Sequence, residues 1–132
     1  YQWVNFTSEL VNDSRLVNIS GSIQRQYKVA RLIFSDGDII PIDSGFNFDK
    51  ETIHAVIPTT SNYTIQWIES SNGIVENNAI EGGNIRNETV YVCRLYHDKS
   101  WYGGVMQPSK GFCRDQYFKK NDRNYSLLVY EM

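Results

Sequence analysis

The hydrophobic and polar positions along the chain follow the pattern of short β-strands. Apolar, β-branched and aromatic residues alternate with polar ones or form brief runs, and no segment keeps the 3.6-residue period of an amphipathic helix. Strands are predicted at Tyr27–Phe34, Ile39–Ile42, Ile53–Ile57, Asn62–Ile68, Val90–Tyr96, Tyr117–Lys119 and Tyr125–Met132. The pattern therefore predicts an all-β fold.

Two turns should join these strands into hairpins. Ser35–Asp38 is a tight-turn tetrapeptide in which Gly37 can take positive φ, so the strands on either side of it should pair. His97–Ser100 is the corresponding turn in the second half of the chain.

The sequence also repeats itself at a nearly constant offset. Trp3 recurs as Trp67, and Val29–Leu32 matches Val92–Leu95. Loops absorb small shifts in such a repeat while packed strands do not, so the match favours duplication of a structural unit. We predict one domain over residues 1–132, built from the units 1–66 and 67–132.

The junction between the two units predicts how they fit together. Tyr63–Gln66 runs into Trp67–Glu69 without a turn residue, so one strand should serve both units, and the tail Ser126–Met132 should lie close to the head Tyr1–Val4. The prediction is a pseudo-two-fold β-sandwich or barrel-like domain made of two interlocked repeats.

Charge and composition argue against nucleic acid and a lipid bilayer as partners. Thirteen Lys and Arg against fifteen Asp and Glu give a net charge of −2, with both signs interspersed. Nucleic-acid binding is therefore not expected, because no basic stripe is present. No apolar run approaches the roughly 20 residues of a membrane-spanning helix, so no membrane span is expected.

Six N-glycosylation sequons favour a secreted, extracellular protein. They exceed what composition predicts for this length, and each has a middle residue other than proline. Their asparagines are Asn5, Asn12, Asn18, Asn62, Asn87 and Asn124. The first residue is Tyr, which fits removal of a secretion signal, although a trimmed chain would look the same.

The two cysteines fit the same compartment. Cys93 and Cys113 are an even pair, as expected of a secreted chain, and a bridge between them would close a loop of about 20 residues, worth roughly 3 kcal/mol. The alternative is a pair of buried thiols.

The second half carries the residues of a known repeat. Its motif positions are Trp67, Gly73–Val75, Ala79–Gly83, Val90–Leu95, Tyr102–Val105 and Tyr130–Glu131. This set resembles the DM9 repeat, with its Trp, Gly-x-Val-Pro turn, Ala-Val-x-Gly-Gly block, Leu-Tyr-Val-x-Arg strand, Pro-Gly-Lys-Val segment and closing Tyr-Glu-Val-Leu. The first half keeps fewer motif positions, chiefly Trp3, Val11, Gly21 and Val29–Arg31.

The resemblance implies two tandem repeats and a lectin-like role, since members of the family act as mannose-binding lectins in invertebrate immune recognition. It also implies two sugar contacts: a polar or acidic residue after the double glycine and a lysine in the Gly-Lys segment. Asn84 takes the first place, but Gly104 and Pro41 stand where the lysine would be. A changed or lost specificity is therefore expected.

Sugar recognition requires an aromatic face and a few fixed polar groups. The expected site lies near Asn84, Asp98, Trp101 and Tyr102, with a poorer copy near Asp36 and Asp38. The alternative is that both aromatic residues serve packing.

Two arginines stand at equivalent positions of the repeat. Arg31 and Arg94 lie within apolar strands, so each needs a partner, and an internal carboxylate is at least as good a candidate as a ligand.

Catalysis finds little support. His54 and His97 lack the neighbours of a metal motif, and no nucleophile elbow, phosphate loop or dinucleotide fingerprint occurs. We expect no enzyme activity, metal or cofactor. The expected partners are glycans or, alternatively, other copies of this chain in a homo-oligomer, extracellular matrix or fibre.

Overall fold

The computed structural model describes residues 1–5, 13, 15–19, 28–34, 36–43, 53–58, 64–115 and 119–131, and these residues form strands, turns and no helix. The strands are β1 (Gln2–Asn5), β2 (Val29–Ile33), β3 (Ile39–Asp43), β4 (Ile53–Ile57), β5 (Thr64–Ser71), β6 (Glu81–Ile85), β7 (Glu88–His97), β8 (Ser100–Gln107), β9 (Phe112–Arg114), β10 (Asn121–Asp122) and β11 (Asn124–Glu131). The all-β prediction is confirmed. No helix in this part of the chain is long and apolar enough to cross a membrane.

The described strands make one antiparallel sheet. Its order is β1-β4-β2-β3-β6-β7-β8-β9-β10, and β11 joins it by pairing with both β5 and β7. Within the described residues β1 and β10 end this path without pairing to each other, so the sheet stays open and is not a closed barrel.

Both predicted hairpins are present. Gly37 has a φ of 96°, which lets β2 turn back into β3 with Ile33 opposite Ile39. Asp98 and Lys99 have φ values of 47° and 63° and place His97 opposite Ser100 at the tip of β7 and β8. Positive φ at both central residues suits the right-handed twist of a two-residue hairpin.

The core is centred on β11. Leu127 and Leu128 in this strand have no exposed surface, and they belong to two different apolar clusters. One cluster contains Ile19, Val29, Val56, Ile80, Val92 and Leu128, and the other contains Cys93, Leu95, Met106, Cys113, Tyr125 and Leu127. β11 therefore presents apolar side chains on both of its faces, as a strand buried on two sides must.

The two parts of the sheet share a pairing pattern. β4 lies between β1 and β2 as β11 lies between β5 and β7, with Val56 opposite Trp3 and Leu128 opposite Trp67. β4 therefore takes the place in the first part of the sheet that β11 takes in the second. The units 1–66 and 67–132 and their pseudo-two-fold axis remain predictions.

The junction behaves as one strand. β5 continues from Thr64 to Ser71 without a break. The rings of Tyr1 and Tyr130 lie 5.2 Å apart, so the head of the chain contacts its last described strand.

The predicted disulfide is confirmed. Cys93 in β7 and Cys113 in β9 are bonded, with Cα atoms 6.1 Å apart, and both are fully buried. The bond crosses over β8, which lies between these strands. The alternative of two buried free thiols is therefore wrong.

Candidate functional site

Arg94 is stacked between two tryptophans. Its guanidinium carbon lies 4.1 Å from the ring centre of Trp101 and 4.8 Å from that of Trp67. Its Nη1 donates a hydrogen bond of 2.8 Å to the carbonyl oxygen of Ile19, while its buried Nε finds no partner among the described residues. Burial lowers the pKa of Arg94.

Arg31 has a related environment. Its guanidinium lies 4.5 Å from the ring centre of Trp3, and its Nε donates a hydrogen bond of 3.3 Å to Nδ1 of His54. Within the described residues neither Arg31 nor Arg94 forms an ion pair with a carboxylate. Of the two partners considered, an internal carboxylate and a ligand, the carboxylate is not found among the described residues. Both arginines instead contact indole faces, which attract a cation through the negative centre of the ring.

The contact with Arg31 predicts a pH-dependent stability. Burial and the Arg31 charge lower the pKa of His54 below its ordinary 6.5, so the unfolded chain takes up this proton first as the pH falls. The stability should be fully present above about pH 6.5 and should fall between that value and the lower folded pKa. Urea denaturation measures the free energy of unfolding of wild type and His54→Gln at pH 7.5 and at pH 5. If the two proteins lose the same free energy of unfolding between these pH values, the prediction is contradicted.

An open groove runs beside Trp101. We call it the aromatic groove; its volume is about 460 Å³, and its lining residues are Glu69, Ser70, Tyr96, Trp101, Asp122, Asn124, Tyr125 and Ser126. Strands β5, β7, β8, β10 and β11 all contribute to it. The groove therefore depends on long-range pairing and not on a single hairpin.

Two rings form the aromatic wall of this groove. Tyr96 and Trp101 are directly opposite each other on β7 and β8, with ring centres 5.3 Å apart in an edge-to-face arrangement. Tyr96 is 54% exposed, and Trp101 is half-buried over Arg94. The Arg94 guanidinium stacks on the Trp101 ring and favours its observed orientation along the groove.

The polar groups of the groove are oxygen-rich. Glu69 is exposed, and one carboxylate oxygen of Asp122 accepts a 2.9 Å hydrogen bond from the backbone N–H of Asn124. Aromatic rings beside carboxylates suit a ligand that has an apolar face and hydroxyl donors.

Tyr102 is not part of this surface. It is only 8% exposed and lies opposite Leu95, with its ring 6.4 Å from that of His97. Neighbouring residues of a strand point to opposite faces, so Trp101 and Tyr102 cannot line one groove. The burial of Tyr102 fits the packing alternative.

Asn84 lies in a second, polar pocket. This pocket of about 350 Å³ is lined by Asp36, Gly37, Asp38, Asn84, Arg86 and Asn87. It forms where Ile39 of β3 pairs with Asn84 of β6, and Asp38 accepts a 3.0 Å hydrogen bond from the backbone N–H of Arg86. The structure therefore joins Asn84 to Asp36 and Asp38.

The predicted grouping of Asn84 with Asp98 and Trp101 is wrong. Asn84 is opposite Thr89 near the start of β7, whereas His97 and Asp98 follow at its far end. Eight residues of strand separate these points by roughly 26 Å. Asp98 itself is 83% exposed and contacts His97 at 3.3 Å, outside both pockets.

The two adjacent glycines explain why Asn84 reaches the polar pocket. A Cβ at Gly82 would lie 2.2 Å from Cγ of Pro41, and one at Gly83 would lie 2.2 Å from the carbonyl oxygen of Ile39. Only glycine permits this approach of β3 and β6. Pro41 thus fills with its ring one of the two places where the family's lysine would stand.

At Gly104, the second position where the family's lysine would stand, backbone atoms fill the space that a side chain would need. A Cβ at Gly104 would lie 2.2 Å from the carbonyl oxygen of Arg114 in β9. A lysine there would force β8 and β9 apart, so neither of the two positions accommodates a lysine as the strands are now packed.

The sequon asparagines that the structure describes are accessible. Asn5, Asn18, Asn87 and Asn124 are all exposed, and Asn18 accepts a hydrogen bond from Nζ of Lys28. Asn12 and Asn62 lie outside the described residues. Exposure is what an attached glycan requires.

Fold and sites together define an all-β, disulfide-bonded protein with an aromatic groove and a polar pocket. The family model of the DM9 repeat matches residues 48–124, more than half of the chain. The chain therefore belongs to the DM9 repeat family, whose domain is associated with carbohydrate-binding recognition. No curated protein matches the chain.

Proposed function

We propose that this chain is a secreted, N-glycosylated, lectin-like protein that holds a carbohydrate in the aromatic groove. The observation that carries the proposal is the pairing of Tyr96 and Trp101 beside the carboxylates of Glu69 and Asp122. The family's association with carbohydrate recognition supports the same class of ligand.

The groove offers an aromatic surface for stacking and carboxylates for hydrogen bonds, the two features that sugar recognition requires. The C–H face of a sugar ring packs on the indole of Trp101 or the phenol of Tyr96, while its hydroxyl groups donate hydrogen bonds to Glu69 and Asp122. Mannose-type sugars are the ligands that the family suggests. With Pro41 and Gly104 at the lysine positions, we propose a specificity set by the aromatic wall.

The extracellular location is supported by two independent features. The Cys93–Cys113 disulfide fits an oxidising compartment, and every sequon asparagine that the structure describes is exposed. Protein purified from its native source should have an intact mass above the 15.3 kDa of the bare chain, because glycans add to it. A mass equal to that of the bare chain would contradict N-glycosylation.

The proposal is a binding role without catalysis. Both cysteines of the chain are joined in the disulfide, which removes the thiol nucleophile that a Cys-His pair would need. His97 contacts the exposed Asp98, and His54 accepts a hydrogen bond from Arg31. These contacts give the histidines structural partners.

Trp101→Ala tests the groove. Losing the stacking surface should weaken binding of the best ligand on a glycan array by roughly two- to tenfold, from about 0.5–1.5 kcal/mol of ring stacking. Tyr96→Ala, at a more exposed position, should act in the same direction. Isothermal calorimetry measures the affinities, and urea unfolding verifies that each variant is folded.

Phe34→Ala is the matched control, because Phe34 is an exposed aromatic residue outside the groove. Unchanged affinity in Trp101→Ala and Tyr96→Ala would show that the groove is not the site. If no variant and no parent binds any glycan, and native material sediments as a large assembly, the structural alternative replaces the lectin.

A further inference from the structure

Each of the two pockets has a sequon asparagine in its lining. Asn124 lines the aromatic groove, and Asn87 lines the polar pocket. We propose that the N-glycan carried by Asn124 folds into the aromatic groove and occupies the place of an external sugar. The occupancy of the groove rests on the N-glycosylation proposed above, and the competition with external sugar rests also on the proposed sugar binding.

Asn124 is held at the rim of the groove by its backbone. It is the first residue of β11 and lies opposite Ser71 of β5. Its N–H donates to the carboxylate of Asp122, which fixes the short turn between β10 and β11. The innermost N-acetylglucosamine would therefore begin its path beside Asp122 and Trp101, which line the same groove.

The chemistry of the innermost sugar fits that wall. N-acetylglucosamine has a C–H face and an acetyl methyl group that can pack on Trp101 or Tyr96, and hydroxyl groups that can reach Glu69. A covalently attached sugar acts at an effective concentration in the millimolar range. Even weak stacking therefore favours the attached glycan over a free monosaccharide.

The polar pocket provides the contrast. The described residues of its lining include no aromatic ring, so they offer a glycan on Asn87 no stacking surface. Chains with an occupied Asn124 should be closed to external sugar, and chains with a vacant Asn124 should be open. Glycan transfer to a single asparagine would thereby set the fraction of active protein.

Oxidation of the aromatic wall tests the occupancy. Glycopeptide mass spectrometry of the secreted wild type first establishes that Asn124 carries a glycan; a vacant Asn124 would overturn the proposal. Hydroxyl-radical footprinting should then show a several-fold rise in oxidation of Tyr96 and Trp101 in Asn124→Gln. Asn87→Gln is the matched control and should leave both rates unchanged.

Enzymatic treatment of folded wild type supplies a second route that requires no variant. An endoglycosidase that leaves a single N-acetylglucosamine should preserve the protection of Trp101, because the innermost sugar makes the contact. An amidase that removes the whole glycan and converts Asn124 to Asp should abolish it. Equal oxidation of Trp101 before and after complete removal would overturn the proposal.

Calorimetry with mannotriose and with chitobiose separates this inference from the proposed function. Asn124→Gln should bind one of these sugars several-fold more tightly, or with a larger active fraction, than wild type. If protection is lost and neither protein binds sugar, the groove holds its own glycan and the lectin proposal fails. If both bind equally and oxidation is unchanged, the lectin proposal stands and this inference fails.

Discussion

Leu128→Ala should lower the free energy of unfolding by about 2–5 kcal/mol. Leu128 is 0% exposed, lies opposite Trp67, and belongs to the cluster that includes Val56 and Ile80. Its backbone carbonyl also accepts a 2.9 Å hydrogen bond from the N–H of Ile80, which holds the surrounding backbone in place. The cavity left by the missing atoms therefore cannot collapse easily.

Urea denaturation followed by tryptophan fluorescence measures this loss. Ile74→Ala is the matched control, because Ile74 is an apolar residue that is 54% exposed in a turn. That substitution should change the free energy of unfolding by less than about 0.5 kcal/mol. Similar losses in the two variants would show that Leu128 does not occupy the centre of the core.

Removing the disulfide should lower stability by about 3 kcal/mol, because the bond restricts a long loop of the unfolded chain. Cys93 and Cys113 are separated by 20 positions, and the loop they close contains the hairpin of β7 and β8. The double variant Cys93→Ala/Cys113→Ala and reduced wild type both lack the bond, but only the variant also loses the buried sulfurs.

Thermal unfolding of oxidised, reduced and double-variant protein separates these two contributions. Reduced wild type should unfold at a clearly lower temperature than oxidised wild type, and the double variant should be equal or lower still. A reduced protein as stable as the oxidised one would show that the bond contributes nothing to the stability of the fold.

The strands with alternating or β-branched residues were predictable from the sequence. Ile53–Ile57 has the bounds that were predicted, and the strands near Val29, Ile39 and Tyr125 differ only at their ends. Lys119, at the end of the predicted strand Tyr117–Lys119, has a φ of 56° and is not in a strand, while the two residues before it lie outside the described residues.

Strand β6 was not predicted, and β8 was implied only by the turn before it, because each contains two consecutive glycines. Glycine weakens the local strand pattern, and here its role appears only across the sheet. Pro41 occupies the space over Gly82, and the carbonyl of Arg114 occupies the space over Gly104. No short window of sequence contains those neighbours.

The aromatic groove was only partly predictable. Trp101 was identified, and Tyr96 could have been found from the turn at Asp98 and Lys99, which fixes Tyr96 opposite Trp101. Glu69 and Asp122 reach the groove through β5 and β10, whose positions depend on the pairing of β11 with β5. Only the complete sheet brings these side chains together.

The burial of Ser126 makes glycan transfer to Asn124 compete with the folding of β11 during synthesis. Asn124 is exposed, but Ser126, the hydroxyl residue of its sequon, is only 4% exposed and its backbone lies between Glu69 and Arg94 in the sheet. Glycan transfer requires an accessible, extended sequon, so it must precede the docking of β11 between β5 and β7. Conditions that slow this docking should therefore yield more protein modified at Asn124, and fast folding should leave that asparagine bare.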